Sequence, residues 1–286
     1  MKIKCGKLVF KIKYDKTWEI PINSKKFTTQ YNETDIYYNV NFVDEISKKE
    51  EKIVYQKNDI LITKNHKNLE SRYLIIPDIF YPYAHYEEED ENHINISIPS
   101  HLKDQFSVDT MFWSLFALEK QMIKKQSLIL HCCYISYKDH AILFSGPSGI
   151  GKSTQGHLWE RYKNSTIING DRCLLVKEDE NWYVYGWPVC GSSGICINER
   201  YKLGSIIFLN QGKENNVIHL TKSKSIKKVV SQLTINYWDK SFINEAISLT
   251  ENICENVNLY EFTCTPDEKA VNTLGIVLKE NEGWIL

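Results

Sequence analysis

The glycine-rich stretch "FSGPSGIGKST", residues 144–154, constrains this chain more than any other feature. A short apolar run, residues 141–144, precedes it and predicts a strand, whereas "KSTQGHLWERYKN" follows it and predicts a helix. Glycines let backbone N–H groups turn inward and approach a bound group without a Cβ in the way. The stretch therefore predicts an α/β unit with an anion-binding loop between a strand and a helix.

Residues 146–153 fit the phosphate-binding pattern G-x-x-x-x-G-K-[S/T]. The helix that begins at Lys152 directs its dipole and its unpaired N–H groups at the bound charge. Lys152 is predicted to reach the β- and γ-phosphates of ATP, and the Ser153 hydroxyl to ligate Mg²⁺. An ordinary glycine-rich turn is the alternative interpretation. The candidate nucleotide-binding residues are Gly146, Pro147, Ser148, Gly149, Ile150, Gly151, Lys152, Ser153 and Thr154.

The two parts of the chain have different patterns. Residues 1–104 contain alternating or β-branched runs such as "KLVFKIKY", "DIYYNVNFV" and "HINISIPS", which predict a β-rich N-terminal recognition module. Residues 105–286 begin with a predicted helix over 107–125 and then alternate strands and helices, including one helix over "SIKKVVSQLTINYW". The predicted fold class is therefore α/β (α+β overall): a β-rich module followed by a P-loop α/β domain.

Composition excludes several classes of protein. The net charge of −1 gives no field that favours nucleic acid or an anionic membrane. The eight cysteines form no C-x-x-C pair, so zinc-site spacing is absent. The N-terminus lacks a signal-peptide pattern, and the most apolar run, residues 111–118, is too short to span a bilayer. We expect a cytoplasmic protein with reduced thiols. We also expect the acidic run 87–91 to form a solvated loop.

Four segments, in order, carry a resemblance that extends from about residue 127 to residue 277. They are "LILHCCYISYKDHAILFSGPSGIGKST", "INGDRCLLV", "VYGWPVCGSSG" and "LYEFTCTPDEKAV". The first two resemble the "L-x-H-G … G-x-S-G-x-G-K-S" and "x-x-D-D-R" motifs of the HPr kinase/phosphorylase C-terminal domain. The last two resemble motifs of uncharacterised kinase-like relatives of that domain, and the whole series also resembles the related phosphoenolpyruvate carboxykinase-like kinases. The resemblance implies a P-loop kinase domain that uses ATP and Mg²⁺.

The resemblance also implies roles for individual residues. Asp171 matches the second aspartate of the family's pair, which implies metal binding and proton abstraction from a hydroxyl. Arg172 would neutralise the transferring charge, and His131 would face the acceptor or the phosphate. Relatives of this kind are often oligomeric, which implies a homo-oligomer. From the residues alone, Asp171 equally fits a turn cap, Arg172 a surface charge and His131 a core histidine.

The chain departs from the family's pattern at Gly170, which stands where the first aspartate is expected. A single carboxylate must then serve two roles, or share the work with Glu160 or Glu199. Cys190 lies in a glycine-rich turn, where it either contacts substrate or packs as an inert thiol.

The sequence supports three hypotheses about function. The first is an ATP-dependent kinase that phosphorylates a serine or threonine hydroxyl of a peptide or small protein, with Asp171, Lys152, Arg172 and His131 as catalytic residues. The second is a nucleotide-binding regulatory protein without transferase activity, which Gly170 favours. The third is a kinase for a small molecule such as free serine.

Overall fold

The computed structural model describes residues 1–77 and 81–283, which form two compact units, Met1–Leu118 and Glu119–Leu286. Large sheets in both units, together with several helices, confirm the predicted mixed α/β fold class, with strands dominating the first unit. None of the helices within these two ranges is long and apolar enough to cross a membrane.

The first unit contains an eight-stranded sheet in the order β1-β2-β3-β8-β7-β6-β5-β4. The pairs β2–β3 and β3–β8 are parallel, and the other neighbours are antiparallel. Its strands and helix are β1 (Lys2–Cys5), β2 (Leu8–Lys13), β3 (Ile36–Val43), β4 (Lys52–Gln56), β5 (Ile60–Lys64), β6 (Glu70–Ile76), β7 (Tyr81–Glu88), β8 (His93–Pro99) and α1 (Asp109–Ser114).

Aromatic side chains form much of the core of the first unit. Phe10 and Tyr38 meet edge to face, with ring centroids 5.7 Å apart, and the Tyr38 hydroxyl donates to the Phe116 carbonyl at 2.8 Å. Phe112 and Trp113 of α1 pack into the same group. Successive strand residues point to opposite faces, so alternate residues of β3 bury on this core.

The second unit contains a second eight-stranded sheet and most of the helices. Its elements are α2 (Leu118–Ile123), which begins at the boundary between the units, β9 (Ser127–Tyr137), β10 (His140–Ser145), α3 (Lys152–Lys163), β11 (Thr166–Asn169), β12 (Arg172–Glu178), β13 (Asn181–Tyr185), β14 (Arg200–Gln211), β15 (Asn216–His219), α4 (Lys222–Val230), α5 (Lys240–Asn256), β16 (Asn258–Cys264) and α6 (Glu268–Asn281).

Strand β10 closes a ring of hydrogen-bonded strands in the second unit. It pairs antiparallel with β9 and parallel with β14, so the order β9-β12-β13-β14-β10 returns to β9. Strand β9 is buried on both faces: Leu130 and Tyr134 enter one core, whereas Cys133 and Ile135 enter another with Trp159 of α3. This explains why β9 reads as a continuous apolar run rather than an alternating one.

Two predicted helices are wrong in extent. The predicted helix over 107–125 is split into α1 and α2, because Ala117 has a φ of 47°, a left-handed conformation that an α-helix does not contain. The helix predicted over "SIKKVVSQLTINYW" ends at Val230. The following backbone pairs with β9 instead: the Gln232 carbonyl accepts from the His131 N–H, and the Thr234 N–H donates to the Ile129 carbonyl.

The predicted solvated loop at residues 87–91 is also wrong in part. Glu87 and Glu88 belong to β7, and Glu88 is buried. The Glu88 carboxylate accepts hydrogen bonds from the Tyr86 hydroxyl and from the backbone N–H of Glu70. These hydrogen bonds offset the free-energy cost of burying an acidic side chain.

We expect Gly156→Ala to destabilise the second unit, because helix α3 crosses β9 too closely for a side chain at this position. A Cβ on Gly156 would lie 2.6 Å from the Cys133 Sγ. Overpacking of this kind costs about 1–3 kcal/mol, only part of which the better helix propensity of alanine offsets. Urea denaturation measures the change in the free energy of unfolding.

Two controls separate crowding from an effect of alanine itself. Gly275→Ala in α6 has no neighbour closer than the Lys163 Cε at 3.5 Å, so it should be neutral or stabilise by up to about 1 kcal/mol. Adding Cys133→Ala should remove most of the extra penalty at position 156. A Gly156→Ala protein as stable as Gly275→Ala would contradict the packing argument.

Candidate functional site

The hydrogen-bond register around β9 positions the candidate site. Strand β10 pairs with one edge of β9, where Ser145 lies opposite Cys132, and strand β11 pairs with the other edge, where Asn169 lies opposite Tyr134. Both strands run antiparallel to β9, so both end near the same point of it. The loops that follow β10 and β11 therefore emerge on either side of His131.

The glycine-rich loop after β10 depends on three glycines with positive φ: Gly146 (140°), Gly149 (78°) and Gly151 (113°). A Cβ on Gly149 or Gly151 would meet no atom within 4 Å, so glycine is needed there for its backbone conformation and not for space. Gly151 is the N-cap of α3 and offers no side-chain cap. The first N–H groups of the helix are thus available to an anion.

The Lys152 side chain lies inside this loop. Its ammonium donates to the carbonyl oxygens of Gly146 and Pro147, both at 2.9 Å, and the residue is only 7% exposed. Burial lowers the pKa of Lys152, and the nearby Asp171 carboxylate acts in the opposite direction. The ammonium group of Lys152 therefore lies at the centre of the loop, where it would contact a phosphate that bound there.

The wall opposite the loop contains Asp171, His131 and Arg172. The Arg172 Nε donates to the Asp171 Oδ2 at 3.2 Å, and the Arg172 Nη1 donates to the Thr234 Oγ1 at 3.0 Å. The His131 Nδ1 lies 3.6 Å from the Asp171 Oδ1, which is too long for a hydrogen bond. Burial, followed by the positive charge of Lys152, lowers the pKa of His131, which favours the neutral imidazole.

A cleft of about 270 Å³ separates the loop from this wall. Most of the predicted residues line it, but Gly146, Pro147, Ile150 and Arg172 do not. The carbonyls of Gly146 and Pro147 accept hydrogen bonds from the Lys152 ammonium, and Arg172 contacts Asp171. The lining residues are His131, Ser148, Gly149, Gly151, Lys152, Ser153, Thr154, Gly170, Asp171 and Ser192.

Ser193 occupies the space beside Gly170 where a larger residue would place its side chain. A Cβ on Gly170 would lie 2.4 Å from both the Cβ and the Oγ of Ser193. The Ser193 hydroxyl donates to the Cys190 carbonyl at 2.6 Å, so it is fixed in that place. Position 170 is therefore glycine because a larger residue has no room there, and among the described residues that line the cleft only Asp171 carries a carboxylate.

The other candidate residues lie outside the cleft. Glu160 is exposed on α3 and faces His157, and Glu199 accepts a hydrogen bond from the Tyr201 hydroxyl at 2.7 Å. Neither of these glutamates lines the cleft, so the structure does not support their sharing work with Asp171. Cys190 is buried, and the cleft residue of its turn is Ser192.

The oxygen atoms that could ligate a metal in the cleft suit a Mg²⁺ ion that is held mainly by phosphate. Within the described ranges, no three His, Cys, Asp or Glu side chains form a group that could hold a metal by themselves. Ser153 and Asp171 are the oxygen donors of the cleft that match the sequence prediction. One carboxylate and one hydroxyl suit Mg²⁺, which keeps several waters and binds together with substrate phosphates.

Sequence reasoning missed three residues: Asn169, Ser192 and Ser193. The "GSSG" turn signals the two serines only as turn residues, and its contact with residue 170 depends on tertiary structure. Asn169 resembles any polar residue at the end of a strand, but its amide is fully buried.

The second unit is thus an α/β domain with a glycine-rich loop at a strand–helix junction. Residues 96–260 match the family model described as "SynChlorMet cassette protein ScmC". The match spans more than half of the chain, so the chain belongs to this family.

No curated protein matches the chain. Among solved structures, the chain is similar to the Hpr(Ser) kinase/phosphatase from Coxiella burnetii, with 12% sequence identity and a TM-score of 0.32. The match covers 53% of this chain and 95% of the other. A likeness this distant assigns neither a fold nor an activity.

We expect Gly170→Ala to destabilise the protein by about 1–3 kcal/mol, because its Cβ collides with the fixed Ser193 side chain. The double variant Gly170→Ala/Ser193→Gly removes the obstructing atoms, so it should recover most of that loss relative to Ser193→Gly alone. Urea denaturation of the four proteins gives the coupling energy. Additive effects would show that Ser193 does not restrict position 170.

Proposed function

We propose that this protein is an ATP-dependent kinase that transfers the γ-phosphate to a serine or threonine hydroxyl of a peptide or small protein. The arrangement of the cleft carries the proposal: a loop with a buried lysine forms one wall, and a carboxylate faces it from the other. Phosphoryl transfer requires mainly positioning, charge neutralisation and a base for the incoming hydroxyl. The cleft offers a candidate for each requirement.

In this proposal each wall has a separate task. The loop residues and the first turn of α3 bind the phosphates through backbone N–H groups, and Lys152 exchanges its contacts with Gly146 and Pro147 for phosphate oxygens. Mg²⁺, held by Ser153 and Asp171, would supply charge neutralisation. Asp171 accepts the proton of the acceptor hydroxyl, and Arg172 orients the Asp171 carboxylate.

A peptide acceptor is favoured over a small molecule by the openness of the site and by the β-rich unit. The cleft is about half open to solvent, and its lining is mostly polar. Sites for small molecules are usually more enclosed and apolar. The first unit offers a separate eight-stranded sheet, which suits a recognition module for a longer chain.

A nucleotide-binding protein without transferase activity is the second candidate. The observation in its favour is that Asp171 is the single carboxylate among the described residues that line the cleft, and Arg172 already engages it at 3.2 Å.

An assay with labelled ATP and Mg²⁺ distinguishes the candidates. The acceptors are a pool of serine- and threonine-containing peptides and, separately, free serine. Tight binding without label transfer to either acceptor would select the regulatory protein.

Lys152→Ala should weaken ATP binding by at least about 100-fold, because Lys152 is the only side-chain cation on the loop side among the described residues that line the cleft. Titration calorimetry with ATP and Mg²⁺ measures the loss. Lys163→Ala, at the other end of α3, is the matched control and should bind ATP as the wild type does. Equal affinities of the two variants would remove Lys152 from the phosphate site.

Asp171→Asn should slow transfer to the peptide pool by about 10²–10⁴-fold, the usual contribution of general acid–base help. The amide keeps the shape of the side chain and an oxygen that accepts from the Arg172 Nε, so the fold should be preserved. Steady-state kinetics with labelled ATP measures kcat. An unchanged kcat would show that Asp171 is not the base.

A further inference from the structure

One buried amide joins the two segments that form the acceptor side of the cleft. Asn169, the last residue of β11, has no exposed surface. Its Oδ1 accepts hydrogen bonds from the backbone N–H groups of Asp171 at 2.8 Å and Arg172 at 3.0 Å. These two bonds fix the turn that presents Asp171 to the cleft, as asparagine side chains do in Asx-turns.

The other end of the same amide fixes a distant segment. The Asn169 Nδ2 donates to the carbonyls of Trp187 at 2.7 Å and Val189 at 3.0 Å. Further along, Cys196 forms a β-bridge with Asn169, and the Ile197 N–H donates to the Ile168 carbonyl at 3.0 Å. The segment 187–197, which we call the upper wall, is therefore attached to the end of β11 at both of its ends.

The upper wall reaches the candidate catalytic residue directly. Gly191 packs so closely on Asp171 that a Cβ there would lie 3.1 Å from the Asp171 Cγ, and Gly191 has a φ of 55°. The next residue, Ser192, lines the cleft, and Ser193 fills the space beside Gly170. A shift of the upper wall would therefore change what Asp171 faces.

We propose that Asn169 is the positioning residue of the acceptor side of the cleft, which sets the Asp171 turn and the Ser192-bearing upper wall relative to each other. The inference rests on the proposed kinase function and deepens it: it assigns the acceptor hydroxyl to the gap between Asp171 and Ser192. Ser192 is then the specificity-determining residue, because it is the upper-wall side chain that lines the cleft.

Only an amide can fill this role at position 169. A primary amide presents two acceptor sites on oxygen and two donors on nitrogen in one plane, and here all four are used. An aspartate would keep the bonds to Asp171 and Arg172 but turn an oxygen toward two carbonyls, which repel it. An alanine would leave two N–H groups and two carbonyls buried without these bonds.

The phosphate-binding loop and helix α3 do not depend on Asn169. Lys152 is held by Gly146 and Pro147 of its own loop. Helix α3 is tied elsewhere, through the Gln155 Nε2, which donates to the Thr265 carbonyl at 3.2 Å. A positioning role for Asn169 therefore predicts a loss of transfer that leaves ATP affinity in place.

The experiment compares Asn169→Asp, Asn169→Ala and Asn252→Ala with the wild type. Asn252 is the matched control, since its amide accepts from the Trp182 indole at 3.0 Å in the same unit, away from the cleft. Three quantities are measured: amide hydrogen exchange of residues 187–197, affinity for ATP without Mg²⁺ by calorimetry, so that Asp171 as a metal ligand does not contribute, and label transfer to the peptide pool.

We expect the upper-wall amides of both Asn169 variants to exchange at least about tenfold faster than those of the wild type. Both variants should also transfer the γ-phosphate at least about 100-fold more slowly, because misplacing a catalytic group by about 1 Å has an effect of this size. Their ATP dissociation constants should stay within about threefold of the wild type. The Asn252 variant should change none of these quantities. Unchanged upper-wall exchange, or ATP affinity that falls in parallel with transfer, would overturn the proposal.

Gly191→Ala tests the same wall in a protein that keeps the Asn169 amide. The new Cβ crowds Asp171, and the alanine must adopt a left-handed φ, a local strain that a folded protein tolerates. Slower transfer with unchanged ATP affinity supports the proposal, whereas wild-type transfer contradicts it.

If the wild type binds ATP but transfers to no acceptor, the kinase function fails, and hydrogen exchange still decides whether Asn169 fixes the upper wall.

Discussion

The hydrogen-bond ladder on the two edges of β9 is the constraint on which the rest of the second unit depends. Strand β10 occupies one edge, β11 and β12 share the other, and both β10 and β11 end near His131. The glycine-rich loop and the Asp171 turn, which are distant in sequence, face each other because of this shared partner. Strand β9 is buried on both faces, so a slip of one residue in its register would exchange its two cores.

The two sides of the cleft are held by different kinds of contact. On the loop side, glycines with positive φ and the contacts of Lys152 with carbonyls of its own loop are local. On the acceptor side, Asn169, Gly191 and Ser193 act across the gap between β11 and the segment 187–197. A local side can be conserved as a motif, whereas the other side depends on matched choices at distant positions, such as glycine at 170 with serine at 193.

The mixed chemistry of the cleft follows from this division. The buried Lys152 ammonium donates to two backbone carbonyls, and the His131 imidazole, whose pKa burial lowers, lies 3.6 Å from a carboxylate that Arg172 already engages. The cleft thus places a buried lysine opposite a carboxylate, an arrangement that suits the proposed phosphoryl transfer. Further metal ligands would have to come from the nucleotide and from water.

The sequence by itself determined the local features. The strand–loop–helix unit around residues 144–163, the β-rich first unit and most of the strands follow from periodicity and from glycine spacing, because neighbouring residues encode them. Tertiary structure decided the rest: the break at Ala117, the end of α4 at Val230 and the carbonyl partners of Asn169, 18 and 20 residues away. Those features depend on hydrogen bonds and contacts between segments that pattern reasoning treats separately, and only the folded chain brings them together.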